Sequence, residues 1–453
     1  MKKIFAILGI LAMFSLANAQ FQGGLTTEVP NLRVNAMGGV YSLIETSNYA
    51  DFPQRILTGQ EGAWLGTDRS NAWGLVRFNL NNFLSLPMPM AWQISAEQNT
   101  MITIDDVLDH IGMGYFPMSY NYDPDGYFNM GSWESTNRIN SDFAVGISDN
   151  LIVGLGLKLY SNGNSEDLDY NDDTLGFDYD WNTSFWGLET TWGGTMILDD
   201  RHFIDASIDL DFWSFSAEYT DDGDDQYEQG IVNCDGIMNF GLNGRYYVTG
   251  DKVDYAPYMN LNYLSFSASQ DYETAPGSGE FEADKFDGSL FNFTLGSGVH
   301  YKPATGVLVY NEFEFRYQSI SQERNNEINT MSNSHYESTM TLLPIYRMGV
   351  EITKAIDPKT WWGFNSVQLW GGFNKTFDDV WGGSDRDDDE TDDNDWEYEY
   401  TNPTYETVNV TTGAALQNGN FKLEFQTSVI GLRFDEYALN NVSIGLVYMF
   451  VQD

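Results

Sequence analysis

The chain has 453 residues, with 66 acidic against 22 basic side chains and a formal charge of −44. That balance excludes a nucleic-acid binder, which needs Lys and Arg opposite the phosphates, and the lone Cys234 excludes a disulfide framework or a cysteine metal cluster. An aromatic content of 15% excludes an acidic disordered chain, which would be poor in rings.

Met1-Lys2-Lys3, the apolar run Ile4 to Leu16 and the Ala17-Asn18-Ala19 site read as a cleaved secretory signal peptide over 1–19. Beyond it no run of about 18 apolar residues occurs, so an exported chain is either soluble or a β-barrel of the outer membrane. Residues 20–60 do not read as strands. Glu61–Thr67, Asn71–Leu80 and Pro89–Gln98 are candidate strands ahead of Ser141. Asp105 to Ile111 carries a short helical pattern inside a long connection.

From Ser141 the alternation becomes strict. Ile204, Ala206, Ile208, Leu210 and Phe212 alternate with Asp205, Ser207, Asp209 and Asp211, a period of two with one apolar and one polar face. Phe291 to His300 and Val442 to Phe450 repeat the pattern. Segments of about ten residues suit a tilted membrane crossing, whereas strands of a soluble sandwich average about five or six. Short turns are expected at Asp149-Asn150, Asp199-Asp200, Gly250-Asp251, Pro303 to Gly306, Asp357-Pro358 and Asn418-Gly419. Long polar stretches alternate with them near 161–183, 214–235, 267–287, 318–338 and 374–404. Short periplasmic turns alternating with long extracellular loops are the mark of an outer-membrane barrel. The reading gives 13 strands from Ser141 onward and one or three before it. The expected fold is therefore all-β, a transmembrane barrel of 14 or 16 antiparallel strands over 61–453, with an N-terminal plug at 20–60 and long acidic loops.

The predicted loops hold 36 of the 66 acids. The densest run offers Asp387, Asp389, Asp392, Asp393 and Asp395 as hard oxygen ligands for Ca²⁺. It lacks the turn residue and closing Glu of an EF-hand, and a solvated, self-repelling loop has the same composition. Trp381, Trp396, Tyr398, Tyr400 and Tyr405 beside it read as an aromatic girdle.

If Phe313, Phe315 and Tyr317 face lipid, then Glu312, Glu314 and Arg316 face the lumen, as do Asp205, Asp209 and Asp211. Inward carboxylates would favour cations, or they would hydrogen-bond a plug or one another in a closed lumen. The four histidines form no metal or catalytic spacing, and Ser297 lies three residues from His300, on the opposite strand face. A non-enzyme without a cofactor, loop-bound Ca²⁺ aside, is expected.

Arg33-Val34-Asn35-Ala36-Met37-Gly38-Gly39, followed by a stretch from Glu45 to Pro53, resembles an R-x-x-x-M-G-G segment of the long-chain fatty-acid transporter (FadL-type) barrels and of the related type IX secretion barrel. Of the N-P-A motif that follows in those families only Pro53 is present. The glycine-rich hairpin Phe143 to Lys158 around Asp149-Asn150 is similar to theirs. The resemblance implies a barrel whose N-terminal segment folds inside as a plug, carried here by Arg33, Met37, Gly38, Gly39 and Pro53. The function expected is passive or plug-gated passage of small cationic, neutral or hydrophobic molecules across the bacterial outer membrane, with lipid and solute as partners. The alternative is a non-transporting barrel: a receptor, an adhesin or a secretion-system partner.

Overall fold

A computed structural model describes residues 51–59, 61–67, 71–82, 84, 86–102, 134–172, 175–223, 226–273, 281–326, 334–376, 382–388, 396–400, 407–430 and 439–450. A 3-10 turn, Pro53–Leu57, precedes eighteen strands. The first four are β1 (Gly62–Thr67), β2 (Asn71–Asn79), β3 (Met90–Ile102) and β4 (Glu134–Ser148). Eight long ones follow: β5 (Leu151–Asp172), β6 (Leu175–Ile197), β7 (His202–Gly223), β8 (Gln226–Val248), β9 (Val253–Glu273), β10 (Phe281–Ala304), β11 (Val307–Asn326) and β12 (Ser334–Ala355). The chain ends with β13 (Ser366–Thr376), β14 (Gly382–Asp388), β15 (Trp396–Tyr400), β16 (Thr407–Asn418), β17 (Phe421–Ile430) and β18 (Leu439–Met449).

All pairings are antiparallel, and β18 returns to β1 through Gly62↔Met449 to Thr67↔Ile444, which closes the wall. β13 pairs directly with β16, so β14 and β15 form a hairpin outside the circuit and sixteen strands make the barrel. The three early strands foreseen before Ser141 are β1 to β3, and the larger of the two expected strand counts is the observed one.

Outside, the surface is apolar. Leu159, Trp192, Ile208, Phe240, Leu295, Phe313, Leu369 and Ile444 are all well exposed. Their neighbours on the same strands, among them Glu189, Asp205, Arg245, Thr294, Glu312 and Ser443, are buried. This inverts a soluble protein and is the construction of a barrel in lipid, where the last strand pairs with the first.

Where they are described, the long polar stretches are strand and not loop. β5 and β6 stay in register from Leu151↔Met196 to Asp172↔Leu175, and β7 and β8 pair out to Gly223↔Gln226. A 22-residue strand is roughly 70 Å long and, even tilted by about 40°, outreaches an apolar band about 25 Å tall. Polar composition there reports an aqueous environment, while the backbone ladder continues through it. The stretch at 374–404 likewise contains β14 and β15.

At the opposite end the turns are short, as at Asp149-Asn150, where Asn150 N–H bonds the Ser148 hydroxyl. In the β6–β7 turn, Asp199 accepts from the backbone N–H of Arg201 and His202, which with the His202 ring holds its carboxyl below the usual range. One connection departs from expectation: Asp357-Pro358 opens a ten-residue passage, 356–365, in which Trp362 sits at φ 52 and is 95% exposed.

Glycines let inward rings lie flat on the wall. The ring of Trp73 covers Gly66, Trp213 covers Gly187, Phe266 covers Gly288 and Tyr258 covers Gly296, each where a Cβ would collide with it.

Candidate functional site

The 3-10 turn lies inside the barrel, against the lumenal faces of β3 to β6. Pro53 at its first position supplies a fixed φ and needs no donor there. Phe52, Pro53, Gln54, Arg55 and Ile56 are buried. Close approach is permitted by glycine: a Cβ on Gly154 would collide with the Gln54 backbone, and one on Gly193 with the Gln54 side chain. Gln54 Nε2 donates to the Gly194 carbonyl at 3.1 Å.

One wall residue fixes the turn. Asp205 is fully buried and accepts from Arg55 Nε at 2.8 and 2.9 Å, from Arg245 Nη2 at 3.1 Å and from the Thr195 hydroxyl at 2.6 Å. The two guanidiniums also stack. Arg55 lies 4.2 Å over the Phe203 ring, and Arg245 lies 4.3 Å over Phe52 and 4.9 Å over Tyr247. A buried carboxylate flanked by two arginines and ring faces is a charge-assisted clamp, strong because water is excluded.

The remaining inward carboxylates are also held. Glu312 and Glu314 share Arg347 Nη1, each at 2.7 Å. Tyr258 donates to both, and Arg316 Nη2 bonds Glu314 at 2.8 Å. Asp209 accepts from Asn243 at 2.6 Å and Asp211 from Asn239 at 2.7 Å. Lys158 pairs with Glu189 at 3.0 Å. Arg77 bonds Gln93 at 2.8 Å, which in turn donates to Asp142 at 2.9 Å. Towards the other end of the barrel, inward positions on β8 to β10 turn apolar, with Ile237, Leu264, Phe266 and Leu290 buried.

Asp205, Asp209, Asp211, Glu312, Glu314 and Arg316 thus belong to three lumenal networks of paired groups, not a ring of bare carboxylates. Pro53 lies in the pinned turn. Arg33, Met37, Gly38 and Gly39 lie outside the described residues, as do Asp389, Asp392, Asp393, Asp395 and the Asp105 to Ile111 pattern. Asp387 lies on β14, paired in register with His335. The sequence reading missed Arg55, Arg245 and Arg347. Arg55, next to Gln54 between the apolar pairs Phe52-Pro53 and Ile56-Leu57, is the one signal that pointed to a buried partner.

No protein-family model matches the chain, and no curated protein matches it. Among solved structures it is similar to the toluene transporter TbuX of Ralstonia pickettii, at 12% identity and a TM-score of 0.41 over 96% of this chain and 100% of that one. It is similar also to the toluene transporter TodX of Pseudomonas putida, at 12% identity and a TM-score of 0.40 over 94% of this chain and 98% of that one. The monoaromatic hydrocarbon channel CymD gives 11% identity and a TM-score of 0.39 over 93% and 97%. At such identity and score the likeness is one of barrel architecture, and no solute follows from it.

Proposed function

We propose that this barrel passes small molecules across the outer membrane and that the segment ending at Thr58 gates the passage. The observation that carries this reading is the clamp of Arg55 and Arg245 on Asp205. It ties a short piece of chain to one side of the lumen through a single buried carboxylate, and a gate needs a contact of that kind: strong when made, and lost as a unit. The lining supports passage of polar or amphiphilic solutes, since inward amides, hydroxyls and paired charges offer exchangeable hydrogen bonds below an apolar stretch. Because the inward carboxylates named above already have partners, charge selectivity is expected to be mild.

Planar-bilayer conductance of the refolded protein tests the reading, with Asp205→Asn alongside. Asparagine keeps the shape and removes the charge that holds two arginines. The expected result is a wild type with small or rare openings and a variant with larger or more frequent ones. If neither conducts and neither lets solutes into liposomes, the lumen is sealed for another purpose, and a surface-binding barrel becomes the better account.

A further inference from the structure

Half-way round the wall from β5, the inward face of β13 is built differently. Leu369 points to lipid, 50% exposed, so Gln368, Trp370, Gly372 and Asn374 face the lumen. Trp370 is 97% buried, yet its indole N–H has no hydrogen-bond partner, and the Gln368 Oε1 and Asn374 Oδ1 atoms are buried without one. Burying a polar atom unsatisfied is costly, so three along one strand face call for an explanation. The elements beside the row are small: Gly349 and Gly372 pair across β12 and β13, and Gly413 lies opposite Trp370 on β16. From β17, Lys422 places its ammonium 5.3 Å from the Trp370 ring while bonding Glu424 at 2.6 Å.

We infer that this row is a binding subsite for a neutral polyhydroxylated solute, an oligosaccharide in extended form. The inference rests on the lumen being a solute path. The row offers one donor and two acceptors, and a hydroxyl is the group that both accepts from an indole N–H and donates to an amide oxygen. An anion would meet the two amide oxygens and the nearby Glu351 and Glu424; a cation would gain nothing from the indole N–H and would compete with Lys422. Residues 368 to 374 span roughly 20 Å of strand, which suits several linked rings better than one. The indole is covered in this structure, with Lys422 over its ring, so on this reading a solute reaches its apolar face only when Lys422 swings aside.

Calorimetric titration of the refolded full-length protein with maltohexaose tests this, with liposome swelling measured separately for passage. Trp370→Phe keeps a ring and removes the N–H; about a threefold to tenfold loss of affinity is expected from one hydrogen bond. Trp370→Ala should reduce binding beyond detection, while Trp362→Phe, in the exposed passage 356–365, should leave it unchanged. Heat-modifiable gel mobility confirms that each variant is a closed barrel. No maltohexaose binding to the wild type overturns the subsite, as does equal binding by the wild type, Trp370→Phe and Trp370→Ala. Binding without swelling would leave the subsite standing and remove the transport reading; swelling without binding would do the reverse.

Discussion

The two halves of this barrel differ in strand length and in how their inward polar groups are grouped, although single unpartnered buried atoms, such as Asn292 Oδ1, occur in the long-stranded half as well. From β5 to β12 the strands run 20–24 residues, and their inward charges neutralise one another or hold the turn. From β13 through β18 the strands are 12 residues or fewer, and β13 carries three buried polar atoms with no protein partner. A closed network gives rigidity, because every member fixes the next. An open row leaves hydrogen-bonding capacity for something that is not protein. The proposed gate and the inferred subsite therefore fall to different arcs of one sheet.

The largest effect that would break this contrast is at Asp205. Removing its charge leaves Arg55 and Arg245 buried together, and loss of one partner from a buried pair costs on the order of 3–5 kcal/mol. Urea unfolding of Asp205→Asn should show that loss, together with the conductance rise; a variant as stable and as quiet as the wild type would remove the clamp from the account. Next in size is Gly154→Ala, whose methyl would meet the Gln54 backbone. It should cost about 1–3 kcal/mol by overpacking and displace the turn, raising conductance. Gly371→Ala, where the nearest atom is Val350 Cγ1 at 3.8 Å, should stay within about 0.5 kcal/mol. Equal responses from the two glycines would mean that the turn is not packed as described.

Arg347→Met sharpens the comparison from the charge side. It removes the cation shared by Glu312 and Glu314 and should move the reversal potential in a salt gradient towards cations. An unmoved potential would place these residues off the ion path. The smallest effect is expected at Trp362→Gly, which relieves a left-handed backbone angle by about 1 kcal/mol. Its unfolding midpoint should rise slightly, with conductance unaltered.

Much of the wall was legible before any coordinates, because period-two alternation and turn chemistry are local. Asp205, Asp209 and Asp211 share a face for the same reason that Ile208 and Leu210 share the other. What the residues could not show is who meets whom. Arg55 and Asp205 are 150 positions apart, and nothing local marks them as partners. Strand length was misread for a related reason: once a strand leaves the lipid its outer face has no need to be apolar, so the pattern fades while the ladder of Tyr170↔Phe177 and its neighbours continues. Trp370 directly follows Leu369 and so breaks the apolar–polar alternation of β13, and its unpaired N–H is visible only in three dimensions.

The hairpin of β14 and β15 has a consequence for the chain's dealings with its own copies. Closing a sheet into a barrel is the surest way to abolish its edges, and this hairpin restores one. β12 gives its far half, Ser334 to Ser338, to β14, and among the described residues β15 pairs only with β14. Among the described residues, β15 thus ends the sheet on that side, an edge of backbone groups to which a strand from another chain could add.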